Sequence, residues 1–246
     1  MRVAVIALAA VACASTGEMA SIPAGEFTMG RTKTTPDDKT NMRPHVLLDD
    51  RPARKVRVPA FQIDKHEVTN SDYAEFVKAT AHRVPYHWTG GNFAAFSGEY
   101  PVYNVSWDDA KAYCEWTGRR LPTEAEWERA ARGGAEEKDY PNGDSITPKE
   151  ARFNSADGPV AVGKSAPNGF DLYDMAGNVA EWTADWFAGD YYQGSENDNP
   201  QGPKDGLYKV IRGGAWPDPP KRITVFFRNW VRPSQRTPNI GFRCAK

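Results

Sequence analysis

The sequence predicts a loop-rich α+β domain, and three observations carry that reading. Glycine and proline are abundant, 21 and 19 of 246 residues, high for a helical protein. Three short, well-punctuated helices fall before Gly134, and after it helical periodicity gives way to loops and short apolar runs. Hydrophobic residues make up 40% of the chain and aromatics 12%, with eight Trp, enough to pack a core around long ordered connections. The length suits one large domain better than two, and residues 20–246 are assigned to it. Lys and Arg number 31 against 32 Asp and Glu, a formal charge of -1. Neither a nucleic acid nor an anionic membrane surface is therefore expected as a partner.

Residues 1–13 read as a signal peptide rather than as part of the fold. Met1-Arg2 carries positive charge, and the apolar stretch 3–12 is too short for a permanent membrane helix. The small residues Ala10-Val11-Ala12 before Cys13 resemble a bacterial lipoprotein cleavage site, which would put a lipid anchor on Cys13. The alternative is a plain signal peptide cut a few residues later. Either way the chain is expected to be exported, to the periplasm or outer surface, with Cys13 its one route to a membrane. Export bears on the remaining cysteines, Cys114 and Cys244. In an oxidising compartment this even pair is expected to form a disulfide; otherwise both are buried free thiols.

The run from Ile22 to Gly30 reads as a short strand entering a turn, and the polar stretch 31–54 as a surface loop. Val56, Val58, Phe61 and Ile63 mark a strand broken at Pro59. The first helix covers about 71–80, capped by Asn70, with Tyr73, Phe76 and Val77 on one face. The second starts at Ser106, where Ser106-Trp107-Asp108-Asp109 is close to a capping box, and ends at Gly118. Its face of Trp107, Ala110, Tyr113 and Cys114 points Cys114 inward. The third opens on the capping box Thr123-Glu124-Ala125-Glu126 and stops at Gly133-Gly134. Beyond it, Val210-Ile211-Arg212 and Ile223-Thr224-Val225-Phe226-Phe227 are expected as short strands.

Common catalytic signatures are missing. There is no Gly-x-Gly-x-x-Gly, phosphate-cradling loop or Gly-x-Ser-x-Gly. The four histidines, His45, His66, His82 and His87, lack metal-ligand spacing, and His82 and His87 are assigned to loop packing. Oxygen-rich positions are more suggestive: Asn154, Ser155 and Asp157 form one group, and Asn178 with Glu181 anchors another. Irregular backbone of this kind supplies calcium ligands, although Asn and Asp beside Gly commonly mean turns.

Ile22 to Gly30, Glu67-Val68-Thr69-Asn70, Pro101 to Trp107, Arg120 to Glu128, Pro167 to Met175, Gly177 to Trp182, Arg212 to Trp216 and Gly241 to Cys244 follow one another in a specific order. Together they resemble the formylglycine-generating enzyme family, also called sulfatase-modifying factors, over residues 20–246. The resemblance implies a C-type-lectin-like α+β fold with little regular structure. It implies structural calcium, with one site at Asn154, Ser155 and Asp157 and another at Asn178, Ala180 and Glu181. It also implies that Cys114 and Cys244 bond to each other. Formylglycine-forming members use a cysteine pair that binds copper(I) and activates dioxygen. By register from Thr237-Pro238 that pair should fall within Thr224 to Trp230, which reads Thr-Val-Phe-Phe-Arg-Asn-Trp. None of these side chains replaces a soft thiolate on copper(I), so no copper cofactor is expected. Nor do the histidines supply the three-histidine site of the superfamily's iron enzymes.

Two main functions follow. One is an exported, divergent modifying enzyme or oxidase, with cleft candidates Trp216, Arg228, Asn229, Trp230, Arg232 and Ser234; taken alone, the Trp residues also suit a core and the Arg residues exposed pairs. The other is a non-catalytic, calcium-stabilised binding or accessory subunit of a cell-envelope complex, contacting a protein or peptide partner through the 190–206 loop with Phe187, Tyr191 and Tyr192. A sulfatase activator using different ligands is a third.

Overall fold

A computed structural model describes residues 17–33 and 49–246. The expected leader, with Cys13 and its lipidation, lies outside the described residues, as do His45 and most of the 31–54 loop. The elements are β1 (Met19–Ile22), β2 (Gly25–Met29), β3 (Arg54–Val58), β4 (Phe61–Asp64), α1 (Asn70–Thr80), α2 (Trp107–Trp116), α3 (Glu124–Arg132), β5 (Ala180–Trp186), the one-turn α4 (Tyr191–Gly194), β6 (Lys209–Arg212), β7 (Asn229–Val231) and β8 (Ile240–Gly241). This is the α+β, loop-rich architecture that the composition predicts. Among the described residues no helix is long and apolar enough to cross a membrane.

The strands form small sheets. β1 pairs antiparallel with β4, and β2 with β3. A four-stranded sheet runs β7-β6-β5-β8, with β8 parallel to β5. Alternation turns Phe27, Met29, Val56 and Val58 inward, where they pack with Trp127 and Ala130 of α3. A second core holds Tyr73, Phe76, Tyr113, Trp182 and Phe242 around the disulfide. In it Tyr73 stacks on Tyr113 with ring centres 5.8 Å apart.

Helices α2 and α3 begin as read, with Ser106 and Thr123 as caps in complete capping boxes. The first helix differs by one residue. Thr69 caps it, its Oγ1 accepting from Asp72 N while Asp72 Oδ2 accepts from Thr69 N. Asn70 is buried and its amide is used elsewhere: Oδ1 accepts from Trp88 Nε1 at 2.9 Å, and Nδ2 donates to the Ser97 carbonyl. The β-branched run at 223–227 is not a strand. It is a buried turn, closed by Phe227 N donating to Thr224 O. The carbonyls of Val225, Phe226 and Phe227 all accept from the Arg212 guanidinium, at 2.8, 3.1 and 2.9 Å. A buried cation thus takes the acceptors that a neighbouring strand would otherwise satisfy.

Cys114 on α2 is bonded to Cys244, which follows β8, with Cα atoms 5.6 Å apart and both residues fully buried. The bond closes a 130-residue separation, for which chain entropy alone assigns about 4–5 kcal/mol. Mass spectrometry without reduction is expected to show both thiols blocked, and a Cys114→Ser/Cys244→Ser double variant to lose stability of that order in chemical denaturation.

Asp109 ties the α2 N-terminus to distant loops. Its oxygens accept from Ser106 N, Arg83 Nε, His82 Nε2 and Arg236 Nε at 2.7–3.2 Å. Burial alone would raise its pKa, but Arg83, the Ser106 N–H and His82 prevail and hold it at about 2. With the folded value below the unfolded one, the contribution is complete above about pH 4 and lost as pH falls through 2. Asp109→Asn is expected to cost about 2 kcal/mol at pH 7, with the gap to wild type closing near pH 2 in pH-dependent urea unfolding.

Candidate functional site

β5, β6 and β7 with the turn after β6 frame a cavity of ≈ 130 Å³. Phe227, Val231, Ile211 and Ile240 give it apolar walls, and Asn229 and Asn239 bring amides. The turn is possible because Gly214 sits at φ +64, where a Cβ would overlap the Arg222 carbonyl oxygen. Asp218 lines the cavity too, but its Oδ2 accepts from Ala215 N at 2.9 Å and its Oδ1 from Arg222 at 3.4 Å. Among the described residues no cysteine other than Cys114 and Cys244 occurs, so the groups present can hold a polar side chain but offer no free thiolate.

The cleft candidates divide. Asn229 lines this cavity, its Oδ1 accepting from Trp230 N. Trp216 is half-buried beside it, between two lining residues, with its ring 5.4 Å from Tyr103. Trp230 stacks on Phe187 with centres 4.1 Å apart. Arg232 is exposed over the Tyr208 ring, and Ser234 is exposed in a turn. Arg228 departs from the expectation of a cleft or an exposed pair. It is 2% exposed, and its Nε and Nη2 donate to the two oxygens of Glu124 at 2.6 and 3.0 Å. Nη1 donates to the Asp49 carbonyl. Charge buried at the start of α3 draws it inward. Tyr192 is also buried, which removes it from any contact surface.

The residues expected around calcium are brought near one another by backbone. Asn178 N donates to Arg152 O, Trp216 N to Asn178 O and Ser155 N to Trp216 O, each at 2.8–2.9 Å. The side-chain oxygens of Asn178, Glu181 and Ser155 are otherwise engaged. Asn178 Oδ1 accepts from Val160 N at 2.9 Å. Both oxygens of Glu181 accept from Arg243, and Trp127 Nε1 adds a third bond. Ala180 donates its N–H to Asn239 O within the sheet region. Ser155 Oγ accepts from Asp157 N, while Asp157 lies exposed 3.6 Å from Arg152, and Asn154 is exposed at φ +47. Among the described residues no three His, Cys, Asp or Glu side chains are spaced for a metal ion.

Two further buried carboxyl groups lie one step away, at residues the sequence reading used only as family markers. Glu67 is buried; its oxygens accept from Val179 N at 3.0 Å and Asn178 Nδ2 at 2.6 Å. Burial, reinforced by Asp174 and Glu181, pushes its pKa well up. Burial likewise raises Asp174, against the Gly163 N–H that bonds it. Three carboxylates thus face one guanidinium, that of Arg243. Periodicity could not reveal it, because Glu67 and Asp174 are over a hundred positions apart.

Residues 6–246 match the sulfatase-modifying factor enzyme 1-like domain. The chain belongs to this family. It is 35% identical to the formylglycine-generating enzyme of Streptomyces coelicolor, covering 94% of this chain and 90% of that one. It is also 35% identical to the serine/threonine-protein kinase pkn1 of Chlamydia pneumoniae over 93% of its own length, but spans 38% of that protein. The solved structure of PvdO from Pseudomonas aeruginosa superposes with a TM-score of 0.76 at 31% identity, covering 93% of this chain and 94% of the other. The fold is accordingly the C-type-lectin-like one of the formylglycine-generating enzymes, as the resemblance implies.

Arg228→Ala is expected to lose roughly 3–5 kcal/mol of stability by leaving Glu124 buried with only Arg212, 3.5 Å away, as its ion-pair partner. Arg232→Ala, at an exposed position, is expected to stay within about 0.5 kcal/mol of wild type in the same denaturation experiment.

Proposed function

We propose that this chain is an exported, divergent modifying enzyme of the sulfatase-modifying factor family that works at the Asn229 cavity without a copper thiolate pair. One observation carries the reading: the segment where copper-using members would place their cysteines lines the cavity with Phe227 and Asn229 instead. A soft metal has no sulfur to bind there, while an amide-edged pocket suits a polar side chain presented by a peptide or protein of the cell envelope. The chain covers 90% of a relative named formylglycine-generating enzyme and 88% of one named inactive Cα-formylglycine-generating enzyme 2, so length is compatible with either reading. The kinase name of the Chlamydia relative is not carried over, because this chain spans 38% of that protein and has no glycine-rich phosphate loop. Calcium enters as a structural ion only, as the family resemblance implies. A lipid on Cys13 would hold the domain at the membrane.

A second reading, a calcium-stabilised binding or accessory subunit, is favoured by the cavity itself: ≈ 130 Å³ admits little more than one side chain, and Asp218, its one carboxylate, is already bonded. Metal analysis of the purified full chain, with oxygen uptake measured on a sulfatase-motif cysteine peptide, separates the two. Oxygen uptake without copper supports the enzyme. Bound calcium with no turnover moves the reading to the binding subunit. Stoichiometric copper with formylglycine product overturns the copper-free assignment.

A further inference from the structure

A second cavity, of ≈ 440 Å³, lies away from the Asn229 pocket, between α2, the start of α3 and β5–β6. Trp107, Leu121, Ala184 and Pro59 supply apolar surface. Three cations and two carboxylates line it, and two pairs form. Lys111 bonds Glu115, and Arg120 holds Glu126 through both nitrogens at 2.6 and 2.7 Å. Lys209 is left over. It is 4% exposed, and among the described residues it has no carboxylate within ion-pair distance. Its Nζ donates to the Ala184 carbonyl at 2.7 Å and sits 4.1 and 3.8 Å from the ring centres of Trp107 and Trp186.

This placement is built by the sheet. Lys209 pairs with Trp186 across β5–β6, where the register shifts between Trp182 and Trp186, and the irregularity leaves the Ala184 carbonyl free to accept from the amine. Burial lowers the Lys209 pKa to about 8, with Asp185 and Asp108 opposing it. A desolvated ammonium held by one carbonyl and two ring faces, with no carboxylate in contact, is matched by an anion that brings its own apolar body.

We propose that this cavity binds a small organic carboxylate, its carboxylate on Lys209 and its apolar body against Trp107 and Leu121. The site is independent of the reaction assigned to the Asn229 cavity, so either assignment can fail alone. The test titrates the full chain with 4-phenylbutyrate and with its neutral amide, 4-phenylbutyramide, by calorimetry. The carboxylate is expected to bind at least ~10-fold more tightly than the amide, the scale of one charge-assisted contact. Lys209→Met is expected to remove that difference, and Ala184→Leu, which narrows the cavity, to weaken both ligands. Should Lys209→Met fail to fold, the comparison on wild type and Ala184→Leu decides. Equal affinity for acid and amide, unchanged preference in Lys209→Met, or no binding at millimolar concentrations overturns the proposal.

Discussion

The fold depends on guanidinium groups buried where the backbone has no regular partner. A domain with so little helix and sheet leaves many internal carbonyls to satisfy, and each one left bare costs free energy. Arg243 shows the arrangement most fully. It is fully buried, bound to Glu181 through Nε and Nη2, and it donates to the carbonyls of Asp64, Lys65 and Tyr173. One side chain thereby joins the end of β4, the loop before β5 and β5 itself. Arg212 does the same for the 225–227 turn while pairing with Glu128, and Arg228 for Asp49 and Ala188 while pairing with Glu124. The carboxylates sit on α3 and β5, the most regular parts of the molecule, and the arginines reach from them to the least regular.

That division explains what the sequence made legible. Helices α2 and α3 could be placed to the residue because a capping box and a terminal glycine are local signals. The strand break at Pro59 was legible for the same reason. The Ile223–Phe227 run misled because its β-branched residues mark burial as much as extension, and the acceptor side of its backbone is taken by Arg212, distant in the chain. Asn70 misled at one residue's distance, its amide being needed by Trp88.

The site was legible in outline only. Ordered motifs brought the family and its fold, and the empty window at Thr224 to Trp230 located the segment that lines the cavity. Which side chains face it was not recoverable. Asn229 turns toward the cavity and Arg228, its neighbour, away from it, a choice made by Glu124 over a hundred positions earlier. The buried carboxyl groups of Glu67 and Asp174 were hidden likewise, since neither residue is unusual in its own segment.

The disulfide also orders events during synthesis. Its second half, Cys244, emerges from the ribosome only after every strand and helix described here, and Arg243 arrives one residue before it. α2 can form early, but its core partners Phe242 and Cys244 come last. The nascent domain therefore has Cys114 without its disulfide partner, and the Glu181 carboxylate without its arginine, until residues 243 and 244 have been made. The second core closes only once its last-made strand is in place, however early its helices form.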